Sequence, residues 1–95
     1  MNQETLSYEE ASDRVEDLNP SAKLAYYILK RECSEMSKTD LEEETLLEDR
    51  TLREAMNALE EQGVAYKRKN PHDHKKRLYG LNIEEFETPG YTSLE

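Results

Sequence analysis

The sequence has little of several residue types: one cysteine, three glycines, three prolines and no tryptophan. A single cysteine cannot form an internal disulfide bond, so a secreted disulfide-stabilised scaffold is excluded. The longest unbroken apolar run, residues 24–29, has six residues, whereas a membrane-spanning helix needs roughly 20. The N-terminal MNQETLSYEE lacks a basic segment followed by an apolar one. We therefore expect no export, no membrane partner and a cytoplasmic location.

Patterns typical of enzymes are also missing. There is no Ser/His/Asp order, no glycine-rich phosphate loop and no HExxH motif. Carboxylates are abundant, but none is paired at an apolar site where acid and base roles could separate. We expect no enzymatic activity, no catalytic residues and no cofactor.

His72 and His74 have the spacing of a metal-binding pair. A zinc site needs three or four ligands, and the lone Cys33 falls in a different predicted element, so we expect no metal. His72 is more simply a turn residue that meets phosphate or solvent. Cys33, near a helix end, is expected to be small and partly buried, with thiol sensing as the alternative.

Charge is distributed unevenly over the 95 residues, which suffice for one domain and carry a net charge of −9. Residues 1–19 have a net charge of −5 and residues 82–95 of −4, whereas residues 64–81 contain six basic residues and one acidic one. A concentrated basic segment in an acidic chain indicates an anionic partner, with a solvated hairpin as the alternative. The acidic surface also suggests a host with high internal salt.

Two helices are predicted in the first third. Ser7 and Glu10 have the spacing of a capping box that opens a helix from Tyr8 to Leu18. Asn19-Pro20 starts a second helix that runs to about Cys33, because Asn caps well and Pro is tolerated at the first helical position. The second helix is apolar on two sides: Ala22, Ala25, Ile28 and Leu29 on one, Leu24 and Tyr27 on the other.

A helix that is apolar on two sides must be covered on both. The second side is a predicted dock for the N-terminal helix or for a partner subunit. The residues of this predicted dock are Tyr8, Val15, Leu18, Leu24 and Tyr27.

The next segment predicts two further helices with a turn between them. Ser37 with Asp40 forms a second capping box, which opens a short helix through Thr45 that buries Leu41. Residues 45–47 form the turn. Glu48 or Asp49 caps a longer helix that ends at Gly63 and buries Leu52, Ala55, Met56 and Leu59.

Strand-like residues follow Gly63. Residues 64–66 and 78–81 predict two strands, and the cluster Asn70-Pro71-His72-Asp73-His74 predicts the turn between them. The result is a hairpin with basic arms.

This order predicts a mainly α chain with a small β-hairpin (α+β), arranged as a winged helix-turn-helix with an additional N-terminal helix. The segment MSKTDLEEETLLEDRTLREAMNALEEQGVAYKRK resembles the MarR-like winged-helix transcriptional regulators of archaea, especially short haloarchaeal ones. The resemblance begins at LNPSAKLAYYIL and ends at KKRLYGL. We expect an acidic N-terminal helix or arm at 1–19, the winged domain at 20–81 and an acidic, mostly irregular tail at 82–95.

The resemblance implies a regulator that binds double-stranded DNA, with the helix at 48–62 as recognition helix. Such a helix presents its N-terminal half to base edges, which here gives Arg50, Thr51, Arg53, Glu54 and Asn57. The hairpin would contact phosphates through Lys67, Arg68, Lys69, His72, Lys75, Lys76 and Arg77. We expect a homodimer, and the sequence identifies no small-molecule effector.

Two alternatives remain: a winged-helix adaptor between proteins of the transcription machinery, and an acidic antagonist that mimics DNA. Arg50 and Glu54, four residues apart, also have the spacing of an intrahelical ion pair. Glu48 and Asp49 would lie near phosphates, which they repel. The basic hairpin discriminates between a DNA-binding regulator and these two alternatives, because only a DNA-binding protein needs the hairpin to be positively charged.

Overall fold

The computed structural model describes residues 5–84, except for the side chain of His74. The described helices are α1 Tyr8–Val15, α2 Pro20–Glu32, α3 Lys38–Thr45 and α4 Asp49–Glu61. The described strands are β1 Met36–Ser37, β2 Ala65–Asn70 and β3 Asp73–Leu81. Of the predicted C-terminal tail, residues 85–95 lie outside the described residues.

The predicted start of α1 is confirmed. The Ser7 hydroxyl accepts from the Glu10 amide at 3.1 Å, and the Glu10 carboxylate accepts from the Ser7 amide at 3.0 Å. The predicted end at Leu18 is wrong, because α1 ends at Val15. Leu18 N–H donates to the Val15 carbonyl in a tight turn, which lets Asn19 adopt the extended backbone that caps the next helix.

The predicted cap of α2 is confirmed: the Asn19 side chain accepts from the Ala22 amide at 2.9 Å. α2 ends at Glu32, one residue before the predicted end, and is followed by Cys33, whose backbone is left-handed with φ 54°. This corrects the expectation that Cys33 is partly buried, because a residue beyond the last helical turn points away from the core and its side chain is exposed.

α3 and the turn after it also follow the local signals. The Ser37 hydroxyl accepts from the Asp40 amide at 3.0 Å and so caps α3. Leu46 follows α3 in a left-handed conformation with φ 61°, so the chain leaves the helix within the predicted turn at residues 45–47, although Thr45 is still helical. The Leu46 side chain is 87% exposed.

α4 begins without a side-chain cap. Glu48 occupies the N-cap position but makes no capping hydrogen bond, since short Ser, Thr, Asn or Asp side chains suit that geometry better than Glu. At the other end Gly63 has φ 75°, as expected for a residue that follows a helix. The Arg14 guanidinium donates to the Gln62 carbonyl at 2.8 Å and so joins α1 to this end of α4.

The buried core of the described residues includes one face of α2 and one face of α4, which pack together. The predicted apolar faces are confirmed, because every member is buried: Ala22, Ala25, Ile28 and Leu29 on α2, and Leu52, Ala55, Met56 and Leu59 on α4. Burial of one such Leu side chain stabilises the fold by about 1.5–3 kcal/mol. Leu41, the predicted buried residue of α3, also belongs to this core.

The three strands form an antiparallel sheet in the order β1-β3-β2. The α+β winged helix-turn-helix class is therefore confirmed, and the wing is defined here as the hairpin of β2 and β3, residues 65–81. Its loop is shorter than predicted, since Asn70 pairs with Asp73 and the Asn70 side chain accepts from the His72 amide at 2.8 Å. β1 was not predicted; its two residues pair with Tyr79 and Leu78 of β3.

A further pairing joins the two ends of the described chain. Leu6 forms a parallel bridge with Ile83, in which the Leu6 amide donates to the Asn82 carbonyl at 2.8 Å. The Glu84 amide donates to the Leu6 carbonyl at 3.0 Å. Leu6 and Ile83 are both buried, although no local pattern in the sequence indicated this bridge.

The residues of the predicted dock differ in exposure. Val15 is buried and Leu18 and Leu24 are partly buried, whereas Tyr8 and Tyr27 remain 41% and 53% exposed. The Lys30 ammonium lies 4.5 Å from the centre of the Tyr8 ring and 5.6 Å from that of Tyr27. α1 therefore joins α2 at its exposed edge through Lys30, which also donates a hydrogen bond to the Tyr8 hydroxyl, while Val15 of α1 belongs to the buried core. None of the described helices has the length and apolar character to cross a membrane.

The burial of Val15 predicts that α1 unfolds together with the rest of the domain. Val15→Ala should lower the free energy of unfolding by roughly 1.5–3 kcal/mol, because it removes two buried methyl groups and leaves a cavity. Urea unfolding followed by circular dichroism measures this change. Asp13→Ala, at an exposed position of the same helix, is the control. A Val15→Ala protein as stable as this control would contradict the packing of α1 into the core.

Candidate nucleic-acid interface

The outer face of α4 carries most of the predicted base contacts. Because the opposite face is buried against α2, Arg50, Arg53, Glu54 and Asn57 are directed outward and are exposed. The side chains of Arg50 and Arg53 are 87% and 63% exposed. Thr51 is half-buried at the margin of this face. The fold thus brings these predicted residues together on one accessible surface.

Both arginines on this face are held by carboxylates one helical turn away. Arg50 Nε lies 3.5 Å from Glu54 Oε2, so the ion pair indicated by their spacing is present. Arg53 Nη2 lies 3.1 Å from Asp49 Oδ2. Exposed pairs of this kind contribute about 0–1 kcal/mol. An incoming anion can therefore replace either carboxylate at small cost.

Asp49 also joins α4 to α3. The Lys38 ammonium donates to its carboxylate and also to that of Glu42, at 3.3 Å in the second case. The hydrogen bond from Lys38 lowers the pKa of Asp49, and the positive charge of Arg53 lowers it further. The same hydrogen bond raises the pKa of Lys38. Asp49 thus stays ionised between two cations at the N-terminus of α4, where the helix dipole also favours an anion.

The wing presents its basic residues to solvent. Lys67, Lys69, Lys75, Lys76 and Arg77 are exposed. The hairpin register shifts between Lys69, which pairs with Arg77, and Asn70, which pairs with Asp73. Residues 74–76 therefore form an irregular insertion on β3. Such bulges redirect side chains, and this one contains Lys75 and Lys76.

Arg68, one of the predicted phosphate contacts, is held on the wing by Glu35. Its Nε and Nη2 atoms donate to the two carboxylate oxygens at 2.8 and 2.7 Å, and Tyr66 donates its hydroxyl at 2.6 Å. The Glu35 side chain is only 3% exposed. Burial by itself would raise the Glu35 pKa, but the hydrogen bonds from Arg68 and Tyr66, with the charge of Arg68, lower it overall.

Gly80 makes room for this arrangement. It is the cross-strand partner of Tyr66, and a Cβ atom at Gly80 would overlap the Tyr66 phenol. The absence of a side chain therefore lets the Tyr66 ring lie over β3 and extend to Glu35. Glu35 was not predicted as a functional residue, because an isolated acid before a two-residue strand carries no recognisable local signal.

A cationic cleft lies between the start of α3, the outer face of α4 and the wing. Its volume is about 360 Å³, and its lining residues are Ser37, Lys38, Thr39, Arg53, Lys67, Lys75, Lys76, Arg77 and Tyr79. Six of these nine described residues are Lys or Arg. The cleft thus combines one predicted base contact with four of the predicted phosphate contacts.

Glu60 lowers the net positive charge near Lys67, one of the residues that line the cleft. One of its carboxylate oxygens is buried and accepts no hydrogen bond from the residues that the structure describes. Burial raises the pKa of Glu60, while the positive charge of Lys67 acts in the opposite direction. Lys67 is therefore partly compensated by Glu60 within the protein.

Comparison with known proteins extends the description of the fold. No protein-family model matches the chain, and no curated protein matches it either. A solved structure that does match concerns the regulation of DNA binding of Bordetella bronchiseptica BpsR by 6-hydroxynicotinic acid. The sequences are 20% identical, the TM-score is 0.54, and the match covers 92% of this chain. The chain spans 65% of the BpsR chain, and the likeness is one of fold.

The Glu35 cluster predicts a pH-dependent contribution to stability. Glu35→Gln should lower the free energy of unfolding at pH 7 by about 1–2 kcal/mol, because the bidentate bond to Arg68 is lost. The folded-state pKa of Glu35 is below its ordinary value of 4.5. Its contribution is therefore complete above that value and disappears as the pH falls through the folded-state pKa.

Urea unfolding of both proteins over a pH series measures this difference. We expect the gap between the wild type and Glu35→Gln to narrow on acidification. Glu43→Gln, at an exposed position of α3, is the control for loss of one carboxylate. A gap that does not change with pH would contradict the lowered pKa of Glu35.

Proposed function

We propose that this chain binds double-stranded DNA and regulates transcription, with α4 in the major groove and the wing on the phosphate backbone. The observation that carries the proposal is the cationic cleft, in which Arg53 of α4 adjoins the basic residues of the wing. A recognition helix and a phosphate-binding element must face the same duplex for such a complex to form. The described fold, shared with a protein whose DNA binding is regulated, supports this proposal.

Bases would be read from the outer face of α4. In this role Arg50 or Arg53 bonds guanine in bidentate fashion, Asn57 bonds adenine, and Glu54 accepts from cytosine. Thr51, at the margin, completes the set of proposed base contacts. The exposure of the two arginines supports this role, since their ion pairs with Glu54 and Asp49 are readily exchanged.

Phosphates would be bound by the exposed side chains of the wing. These proposed backbone contacts are Lys67, Lys69, His72, Lys75, Lys76 and Arg77. Arg68 would act with them through the exposed part of its side chain, which is 34% accessible to solvent. Its main role in the proposal is to hold the wing against the rest of the domain through Glu35.

A homodimer in the cytoplasm belongs to the same proposal. Support comes from the exposure of Tyr8 and Tyr27, two adjoining aromatic side chains that a second subunit could cover. An archaeal host with high internal salt is a further part of it, supported by the net charge of −9 and by the sequence resemblance. BpsR is described as regulated by 6-hydroxynicotinic acid, so control by a small molecule is also worth testing here.

The basic wing predicts a steep dependence of DNA affinity on salt. If four to six wing residues engage phosphates, log affinity should fall with log salt with a slope of roughly −4 to −5. Replacing Lys67, Lys69, Lys75 and Lys76 by Gln should weaken all duplexes about equally and reduce that slope by about 3–4. Fluorescence anisotropy with the DNA upstream of the gene and with scrambled DNA measures both quantities.

The single replacement Lys23→Gln, at an exposed position of α2, is the control for loss of a basic residue outside the wing. It should leave the slope nearly unchanged. If the protein with all four lysines replaced binds DNA as tightly as the wild type, the wing is ruled out as the phosphate-binding element. Absence of binding to any duplex at any salt would instead favour the protein–protein adaptor or the DNA mimic.

Arg50 provides a test of base reading. Arg50→Ala should cost about 1–3 kcal/mol on a preferred site, selected from a library of random duplexes, and little on unselected DNA. The reason is that a base contact discriminates between sequences whereas a phosphate contact does not. Arg31→Ala, at an exposed position of α2, is the matched control. Equal losses on selected and unselected DNA would show that Arg50 binds phosphate.

A further inference from the structure

The cationic cleft has the form of a binding site as well as the charge of one. A volume of about 360 Å³ is enough for a small molecule, whereas a flat basic surface would offer contacts on one side only. The lysines and arginines of its lining come from three parts of the fold: Lys38 from α3, Arg53 from α4, and the others from the wing. Side chains from elements distant in sequence can therefore surround one ligand.

The cations of the cleft are unequally compensated. Asp49 binds both Lys38 and Arg53, so one carboxylate already lies between two of the lining cations. Lys75, Lys76 and Arg77 form no ion pair with any carboxylate among the described residues. The wing side of the cleft thus keeps an excess of positive charge, whereas the side formed by α3 and α4 holds an anionic group of the protein.

The start of α3 lies at the same cleft. Lys38 and Thr39 are the first two helical residues, and the amides of a first turn have no carbonyl partner within the helix. The positive end of the α3 dipole therefore coincides with the lysine and arginine side chains. Donors of this kind, together with an arginine fork, match the several oxygens of a phosphate group.

We propose that the cationic cleft binds one phosphate group of a small anion from solution, such as inorganic phosphate, pyrophosphate or a phosphorylated metabolite. Asp49 then acts as an internal competitor, because its carboxylate holds Lys38 and Arg53 when the cleft has no ligand. The bound anion excludes DNA from the same residues. This competition rests on the proposed function, but the binding of the anion does not.

A titration without DNA tests the binding. We expect inorganic phosphate and pyrophosphate to shift the amide signals of Lys38, Thr39 and the wing in a saturable way in 15N-resolved NMR spectra of the full chain. Sodium chloride of equal ionic strength should not do so. Lys75→Gln combined with Lys76→Gln should weaken pyrophosphate binding about tenfold, since each exposed charge pair is worth up to about fivefold.

The effect of Asp49→Asn, compared with that of Asp13→Asn at an exposed position of α1 outside the cleft, distinguishes a specific site from general attraction by charge. Asp49→Asn should strengthen pyrophosphate binding several-fold, because it removes the competing carboxylate. Asp13→Asn and Lys23→Gln should change it little. Shifts that fail to saturate, shifts equal to those with chloride, or equal weakening by Lys23→Gln would each overturn the proposal. Spectra that keep their dispersion would show that each variant is folded.

A competition experiment identifies the source of the phosphate group. If a free anion is the ligand, pyrophosphate should displace duplex DNA more strongly than sodium chloride of equal ionic strength. If pyrophosphate binds without displacing DNA, the competition is overturned while the DNA-binding function stands. If pyrophosphate binds and no duplex does, the proposed function fails while the phosphate site stands.

Discussion

The burial of one face of α4 against α2 is the constraint on which the rest of the structure depends. Leu52, Met56 and Leu59 of that face are almost inaccessible to solvent. A helix with one apolar stripe can bury that stripe in only one rotation about its own axis. The outward direction of Arg50 and Arg53 follows from this, as does the position of the chain that leaves Gly63 to form the wing.

Acidic residues on and behind the basic surface determine how available that surface is. Asp49 and Glu54 hold arginines in exposed pairs that water and salt weaken. Glu35 holds Arg68 in a buried pair, where loss of one partner would leave an uncompensated charge in a poorly solvated place. The first two carboxylates can give way to a ligand, whereas Glu35 keeps the wing in position. A chain with a net charge of −9 can thus present a local positive surface.

Structural elements that depend only on interactions between residues close in sequence could be predicted. Caps at Ser7, Asn19 and Ser37 and the stripe of α4 depend on hydrogen bonds and spacings inside one helix. β1 and the bridge from Leu6 to Ile83 were not predicted, because each exists only through a partner remote in sequence. The expected end of α1 was wrong for a related reason. The apolar spacing continued to Leu18, but the cap of α2 required the chain to turn first.

The sequence alone therefore determined that four helices form and where each begins, which helical faces are apolar, and that positive charge is concentrated between Lys67 and Arg77. These properties depend on periodicity and composition, which a linear chain already contains. Only the tertiary structure decided that Arg68 turns to Glu35, that Asp49 joins Lys38 to Arg53, and that three separate elements enclose one cationic cleft. Those outcomes depend on distances between residues far apart in the chain, and such distances are fixed only when the core packs.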